Sequence, residues 1–139
     1  MQPDALGPVN PDERVEVSLT LRSRRPLSEL EARLDRPMTR EEYAANYGAD
    51  SADMARVEAF AHQHGLEVVE ASQARRTVRL AGRAADMSAA FDVSLQRMRL
   101  DDGAEYRATD RAVQVPSELS GAVEGIFGLD TRPIARPRE

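Results

Sequence analysis

The chain has 139 residues, of which 41% are hydrophobic and 31% charged, and its net charge is −5. This length predicts about one domain, and the negative charge disfavours nucleic acid as a partner unless the basic residues gather on one face. The absence of cysteine excludes disulfides and thiolate chemistry, and no apolar run reaches transmembrane length, so no membrane partner is expected. All 19 basic residues are arginine, which favours paired contacts with carboxylates, although a codon preference explains the same composition.

The first predicted elements are a leader and a strand. Residues 1–13 are predicted to be flexible, because they contain three prolines and a glycine and lack the charged and apolar regions of a signal peptide. Residues 14–21 alternate strictly between apolar and polar side chains. This alternation predicts a half-buried strand.

Two short helices should follow, because Ser28 with Glu31 and Thr39 with Glu42 both have the spacing of a capping box. On the first of these helices Glu31 and Asp35 would share a face at i, i+4, which is a spacing that paired-carboxylate catalysis can use. The abundance of Glu and Asp in the chain predicts about one such pair by chance, and one occurs. We therefore assign no catalytic role to this pair.

The most complete local signal predicts a helix that begins near Ser51 and ends at Gly65. Asp50 is placed as its N-cap and Asp53 at its third position, where both carboxylates could accept hydrogen bonds from unpaired backbone N–H groups. Five side chains at helical spacing should face the core: Met54, Val57, Phe60, Ala61 and His64. His62 points away from His64, so the two histidines cannot share a metal.

Two hairpins and a second helix are predicted after the long helix. Residues 66–71 and 75–81 flank a polar turn, and residues 93–100 and 105–108 flank an Asp-Asp-Gly turn. Residues 84–91 have a helical apolar face and separate the two hairpins.

The C-terminal part is predicted to contain one more helix, a short apolar run and a tail. Pro116 is placed to start the helix, and its inward side chains would be Leu119, Ala122 and Val123. Residues 126–129 form the apolar run, and residues 131–139 should be extended because they contain two prolines.

This order of strands and helices is the βαββαβ pattern of a ferredoxin-like domain. We therefore predict an α+β fold, in which an antiparallel sheet carries its helices on one face, with extra short helices and an extended C-terminal tail. The other sheet face should be open and polar, and its predicted residues are Glu16, Ser18, Thr20, Glu67, Thr77 and Arg79. Because none of these is aromatic, RNA binding is disfavoured.

The sequence contains no recognisable active-site motif. No serine lies in a Gly-x-Ser-x-Gly elbow, no glycine cluster forms a phosphate loop, and no Cys/His spacing suits a metal. We expect no catalytic residues, no cofactor and no metal in this chain.

A series of short motifs carries a family resemblance. Their order along the chain is Met38-Thr39-Arg40-Glu41-Glu42-Tyr43, Tyr47-Gly48-Ala49-Asp50, Val57-Glu58-Ala59-Phe60-Ala61, His64-Gly65-Leu66, Ala89-Ala90-Phe91, Tyr106-Arg107, Val115-Pro116 and Gly128-Leu129-Asp130-Thr131-Arg132-Pro133. In order and spacing the series resembles the activation domain of kumamolisin-type sedolisin precursors, over roughly residues 14–133.

The resemblance implies a propeptide that assists folding of a serine-carboxyl peptidase and inhibits it until acid autoprocessing. The expected partner is the sedolisin catalytic domain, in cis or in trans, and the family suggests secretion. The family's Glu-Asp-Ser set and calcium site belong to that catalytic domain, and its Ser-Gly-Thr-Ser motif is absent here. Residues 14–131 would form the propeptide domain, and residues 132–139 the linker toward the catalytic domain.

The resemblance also suggests which residues contact the partner. The tail should cross the peptidase cleft, and the residues expected to block it are Arg132, Pro133, Ile134, Ala135 and Arg136. Three further arginines, on the first hairpin, are candidates for the interface: Arg75, Arg76 and Arg79.

Two other functions stand as alternatives. One is a free-standing regulatory or binding module that kept this fold after losing its peptidase. It predicts that the reading frame does not continue past Glu139 into a domain with a Ser-Gly-Thr-Ser motif. The other is an acylphosphatase-type enzyme, which would need a phosphate-binding loop with Arg and Asn that the predicted turns do not supply.

Overall fold

A computed structural model of the chain describes residues 4–23, 39, 41–42 and 47–131. Its elements, in chain order, are β1 (Asp4–Pro8), β2 (Arg14–Leu21), α1 (Ser51–Gln63), β3 (Glu67–Ser72), β4 (Thr77–Arg83), α2 (Ala84–Phe91), β5 (Leu95–Arg99), β6 (Glu105–Thr109), a 3-10 turn (Ser117–Leu119) and β7 (Val123–Phe127). Within these ranges neither helix has the length and apolar character needed to cross a membrane.

The larger sheet has four antiparallel strands in the order β3-β4-β2-β7. With α1 between β2 and β3, and α2 after β4, this is the arrangement of a ferredoxin-like domain. The predicted α+β fold is confirmed.

The alternation predicted for β2 is present and decides which face holds the core. Val17 lies opposite Leu80 and Leu19 lies opposite Val78, and all four side chains are buried. Both helices pack on this face, where Phe60 of α1 meets Phe91 of α2 with ring centroids 5.6 Å apart. Helices therefore cover one face of the sheet, as predicted.

The helix caps that the sequence predicts at Asp50 and Thr39 are present in the structure. Asp50 Oδ1 accepts a hydrogen bond from the Ala52 N–H at 2.8 Å, so Asp50 is the N-cap of α1. Thr39 Oγ1 accepts from the Glu42 N–H at 3.1 Å, which is one half of the predicted capping box. The other predicted box, at Ser28, lies outside the described residues, as do Glu31 and Asp35.

A second sheet differs from the prediction. The hairpin of β5 and β6 pairs with β1 in a three-stranded antiparallel sheet of order β1-β5-β6. Asp4–Pro8, expected to belong to a flexible leader, is therefore a strand. Proline and glycine are uncommon inside strands, so this strand was not predicted. A bulge between Ala5 and Gly7 accommodates the backbone of Gly7 at φ +113°.

The fourth strand of the main sheet is β7, where the sequence predicted a helix and then a short apolar run. Only a three-residue 3-10 turn forms after Pro116, and Gly121 then adopts φ +82°, which interrupts a helix. Leu119 and Ala122 are buried as expected, but Val123 begins β7. The backbone of β2 supplies the partner that turns this apolar run into an edge strand.

Candidate partner-binding surfaces

The sheet face opposite the helices is the first candidate surface. Its central strands present the predicted polar side chains, of which Glu16 and Arg79 are exposed. Glu16 lies 3.6 Å from Arg14 and 3.8 Å from Arg79, and Arg14 lies 3.4 Å from Glu67. Exposed pairs at these distances contribute little to stability, so these charges can exchange partners at modest cost.

One aromatic side chain stands on this face, contrary to the prediction. Phe127 lies directly opposite Ser18 and is 62% exposed. Gly125, two residues earlier on the same face, leaves the ring room, because a Cβ there would lie 2.9 Å from Phe127 Cε2. Phe127 is not among the predicted open-face residues, because residues 126–129 reach this sheet only through the pairing of β7 with β2.

The three candidate arginines occupy different environments. Arg79 of β4 and Phe127 of β7 both lie opposite Ser18 of β2, one on each side of it. Arg79 and Phe127 therefore share a face of the sheet. Arg75 is exposed in the β3–β4 turn, where its N–H donates to Ser72 Oγ at 3.2 Å.

Arg76 instead makes contacts that stabilise the fold. Its backbone adopts φ +59°, its guanidinium donates to the Leu21 carbonyl at 3.1 Å, and its own carbonyl accepts from the Leu21 N–H at 2.8 Å. These contacts hold the β3–β4 turn against the end of β2. Of the three arginines, Arg75 and Arg79 are the ones that the fold presents outward.

The second candidate surface is the place where the chain leaves the described domain. Residues 128–131 follow β7 and lie against Arg107 of β6. The Arg107 guanidinium donates to the carbonyls of Gly128 and Leu129 at 2.7 and 2.9 Å. Thr131 donates its N–H to the Arg107 carbonyl at 2.7 Å and accepts the Arg107 N–H on Oγ1 at 2.7 Å. The five predicted cleft-blocking residues, from Arg132 to Arg136, lie outside the described residues.

A cavity of about 370 Å³ lies between α2 and residues 111–118. His64 Nε2 lies 3.5 Å from Glu118 Oε2 at its rim, and Arg111 lies 3.6 Å from Asp92. Hydrogen bonds from its own backbone N–H and then from His64 lower the pKa of Glu118. The charges are matched in pairs, and the described side chains that line the cavity include no serine, threonine or cysteine.

Comparison with known proteins gives two matches. The sequence model of the Pro-kumamolisin activation domain family matches residues 4–132, a range that begins where β1 begins and ends one residue after Thr131. Over 141 aligned residues the chain is 38% identical to kumamolisin from Bacillus sp. (strain MN-32). The alignment covers 94% of this chain and 25% of that protein, so the chain spans about a quarter of the length of the curated relative.

Proposed function

Because this chain belongs to the Pro-kumamolisin activation domain family, and is thereby a propeptide of a kumamolisin-type peptidase precursor, we propose that it inhibits the catalytic domain of its precursor and assists that domain's folding. The family match over residues 4–132 is the observation that carries this proposal, since it includes both candidate surfaces. Removal of the propeptide by autoprocessing in acid would then end the inhibition.

The open sheet face is the proposed docking surface for the catalytic domain. Phe127 is a large exposed apolar side chain among small and polar neighbours, and phenylalanine is one of the aromatic residues that are enriched at protein interfaces. Arg79 and Arg75 would add contacts to carboxylates of the partner. An apolar depression facing Phe127, bordered by acidic side chains, is the surface that this face would fit.

The tail is the proposed blocking element. Pro133 and Pro137 disfavour helical conformations in the residues before them, so the tail is biased toward an extended chain. Protease clefts bind substrates as extended strands, and a segment of this kind can fill such a cleft. Residues 132–136 would therefore occupy the cleft while the folded domain holds the enzyme from outside.

The propeptide itself is proposed to be inactive. Ser117 and His64 both contact the Glu118 carboxylate, at 3.2 and 3.5 Å, but they do not contact each other, so this histidine is not placed to take the serine proton. Peptide hydrolysis by the purified chain, persisting through purification from a host without peptidase contamination, would contradict this part.

The proposal is tested with the catalytic domain of the same precursor, expressed separately and refolded with and without this chain. The chain should raise the yield of refolded peptidase and inhibit the folded enzyme at a 1:1 ratio. Phe127→Ala should weaken inhibition at least tenfold, whereas Phe127→Leu, which keeps an apolar side chain, should weaken it less than threefold. A refolding yield that is the same with and without this chain, together with no inhibition of the folded peptidase, would overturn the proposal.

A free-standing regulatory module with the same fold is the second candidate function. It is favoured only if the reading frame does not continue past Glu139 into a domain with a Ser-Gly-Thr-Ser motif. Sequencing the gene on the 3′ side of this segment decides between the two.

A further inference from the structure

Arg107 joins two parts of the chain that are distant in sequence, β6 and the segment that leaves β7. We propose that Arg107 is a positioning residue that anchors the exit of the tail, so that the tail starts from a fixed point and enters the partner's cleft in one direction. This inference rests on the proposed role of the tail.

The chemistry of the contact suits an anchor. A guanidinium is a planar fork of donors, and here Nη2 and Nε reach successive carbonyls, those of Gly128 and Leu129 respectively. The Arg107 side chain is only 17% exposed, so water competes weakly for these hydrogen bonds. Charged donors also form stronger hydrogen bonds than neutral ones.

The charge of Arg107 is balanced by a third segment. Glu13 Oε2, in the connection between β1 and β2, lies 3.4 Å from Arg107 Nη1. The Glu13 carbonyl in turn accepts the Ala84 N–H at 2.8 Å, which ties this connection to the start of α2. Arg107 is therefore fixed to the domain through β6 and through Glu13, and its guanidinium holds the exit segment.

The backbone of β6 completes the anchor. β6 is one of the two edge strands of the small sheet, and the N–H and carbonyl of Arg107 face away from β5. Thr131 takes both groups, with its N–H and its hydroxyl. An unpaired edge would otherwise present these groups to solvent or to another chain.

The consequence for the tail follows from chain length. Leu129 is buried, and without the guanidinium the exit segment is held to β6 only through the backbone pairing of Thr131. When that weaker pairing opens, the loosened piece begins at Asp130 and adds two residues, or about 7 Å of reach. A longer and less directed tether lowers the effective concentration of the tail at the cleft. The anchor thus increases the tail's share of the inhibition without touching the peptidase.

Amide hydrogen exchange on the full chain tests the anchor without any peptidase. Arg107→Met should raise the exchange rate of the Thr131 amide at least tenfold, while amides of β2 and β4 change less than twofold. Arg107→Lys keeps the charge but loses the fork, and should raise that rate at least threefold. Arg97→Met is the matched control, because Arg97 lies opposite Arg107 on β5 and is paired with Glu105 rather than with the exit segment. It should leave Thr131 unchanged.

If Arg107→Met fails to fold, Arg107→Lys remains decisive. An unchanged Thr131 rate in every folded Arg107 variant would overturn the proposal, and so would an equal rise in Arg97→Met.

Inhibition of the precursor's catalytic domain tests the consequence. Arg107→Met should weaken inhibition at least threefold in the full chain and have no effect in a chain that ends at Asp130. An equal loss in both lengths would show that Arg107 acts through domain stability and would overturn the positioning role. If the unaltered chain does not inhibit at all, the proposed function fails, and the exchange measurement still judges the anchor by itself.

Discussion

Arg22, just after β2, forms a two-point ion pair with Asp53 in the first turn of α1. Arg22 Nε lies 2.8 Å from Asp53 Oδ2, and Arg22 Nη2 lies 3.4 Å from Asp53 Oδ1. The sequence predicted that Asp53 would accept backbone N–H groups, but its side chain is 5% exposed and is turned to Arg22, which is 55% exposed. The hydrogen bond and then the charge of Asp53 raise the pKa of Arg22.

This unequal burial predicts an unequal cost of mutation. Arg22→Met leaves a buried carboxylate without its cation, and we expect it to lower the free energy of unfolding by more than a change at Asp53 does. Asp53→Asn leaves a guanidinium that water can solvate, and should cost only about 1–2 kcal/mol. Urea denaturation of both variants measures the difference. A larger cost for Asp53→Asn than for Arg22→Met would contradict the interpretation.

Gly128 lies where the chain turns from β7 toward its exit, at φ +109°. A Cβ at this position would lie 2.7 Å from the Glu16 carbonyl oxygen, which is backbone and cannot rotate away. Gly128→Ala should therefore cost about 2–3 kcal/mol, of which roughly 1 kcal/mol is the conformational strain alone. Gly103→Ala is the control, since Gly103 has φ +88° with nothing near its Cβ position. Equal losses in thermal denaturation would rule out the close approach.

Glu118 predicts a small pH dependence of stability. Its pKa is lowered in the folded chain, by its own backbone N–H first and then by His64, so its contribution is present above the ordinary carboxylate pKa of about 4.3. The contribution is lost as pH falls through the lower folded value. The difference in Tm between the unaltered chain and Glu118→Gln should therefore shrink between pH 6 and pH 3. A difference that stays constant or grows in acid would contradict the assignment.

Truncation separates the tail from the folded domain. A chain that ends at Asp130 should inhibit the precursor's catalytic domain at least tenfold more weakly, or by about 1.4 kcal/mol, because the cleft is left open. A matched chain that ends at Arg136 retains all five proposed blocking residues and should inhibit nearly as well as the full chain. An unchanged inhibition constant after removal of residues 131–139 would place the whole block on the folded domain.

The elements that were predicted correctly are those whose signals are local. The cap at Asp50, the helical spacing of Val57 and Phe60 and the alternation of residues 14–21 each lie within one turn or one strand. β1 and β7 were missed because a strand with glycine or proline is specified by its partner, and β5 lies about 90 residues from β1. The sequence could not show which face Phe127 occupies until β7 was paired with β2.

The two candidate surfaces also differ in how far local sequence patterns predict them. The polar residues of the open face followed from the alternation of β2 and β4, so Glu16 and Arg79 were placed correctly. Arg107 and the segment after β7 both belong to the motifs that carried the family resemblance, but their contact joins positions more than 20 residues apart. No local pattern encodes such a contact. The roles of Arg75, Arg76, Arg79 and the tail in binding a partner stay predictions.

Acid should release the domain from its partner. An interfacial carboxylate paired with arginine has its pKa lowered in the complex, so its contribution is present above the free value of about 4 and is lost as pH falls through the bound value. Arginine remains charged throughout this range. Several desolvated pairs would have to protonate together, because an exposed pair contributes only about 0–1 kcal/mol.

The most direct measurement of the central claim is a calorimetric titration of this chain into an inactivated form of the precursor's catalytic domain, in a series from pH 7 to pH 3. The account predicts a 1:1 complex at pH 7 whose affinity falls at least tenfold as the pH drops below about 4, with both partners still folded. Absence of binding at pH 7 would contradict the propeptide function, and an affinity that is constant down to pH 3 would contradict release by acid.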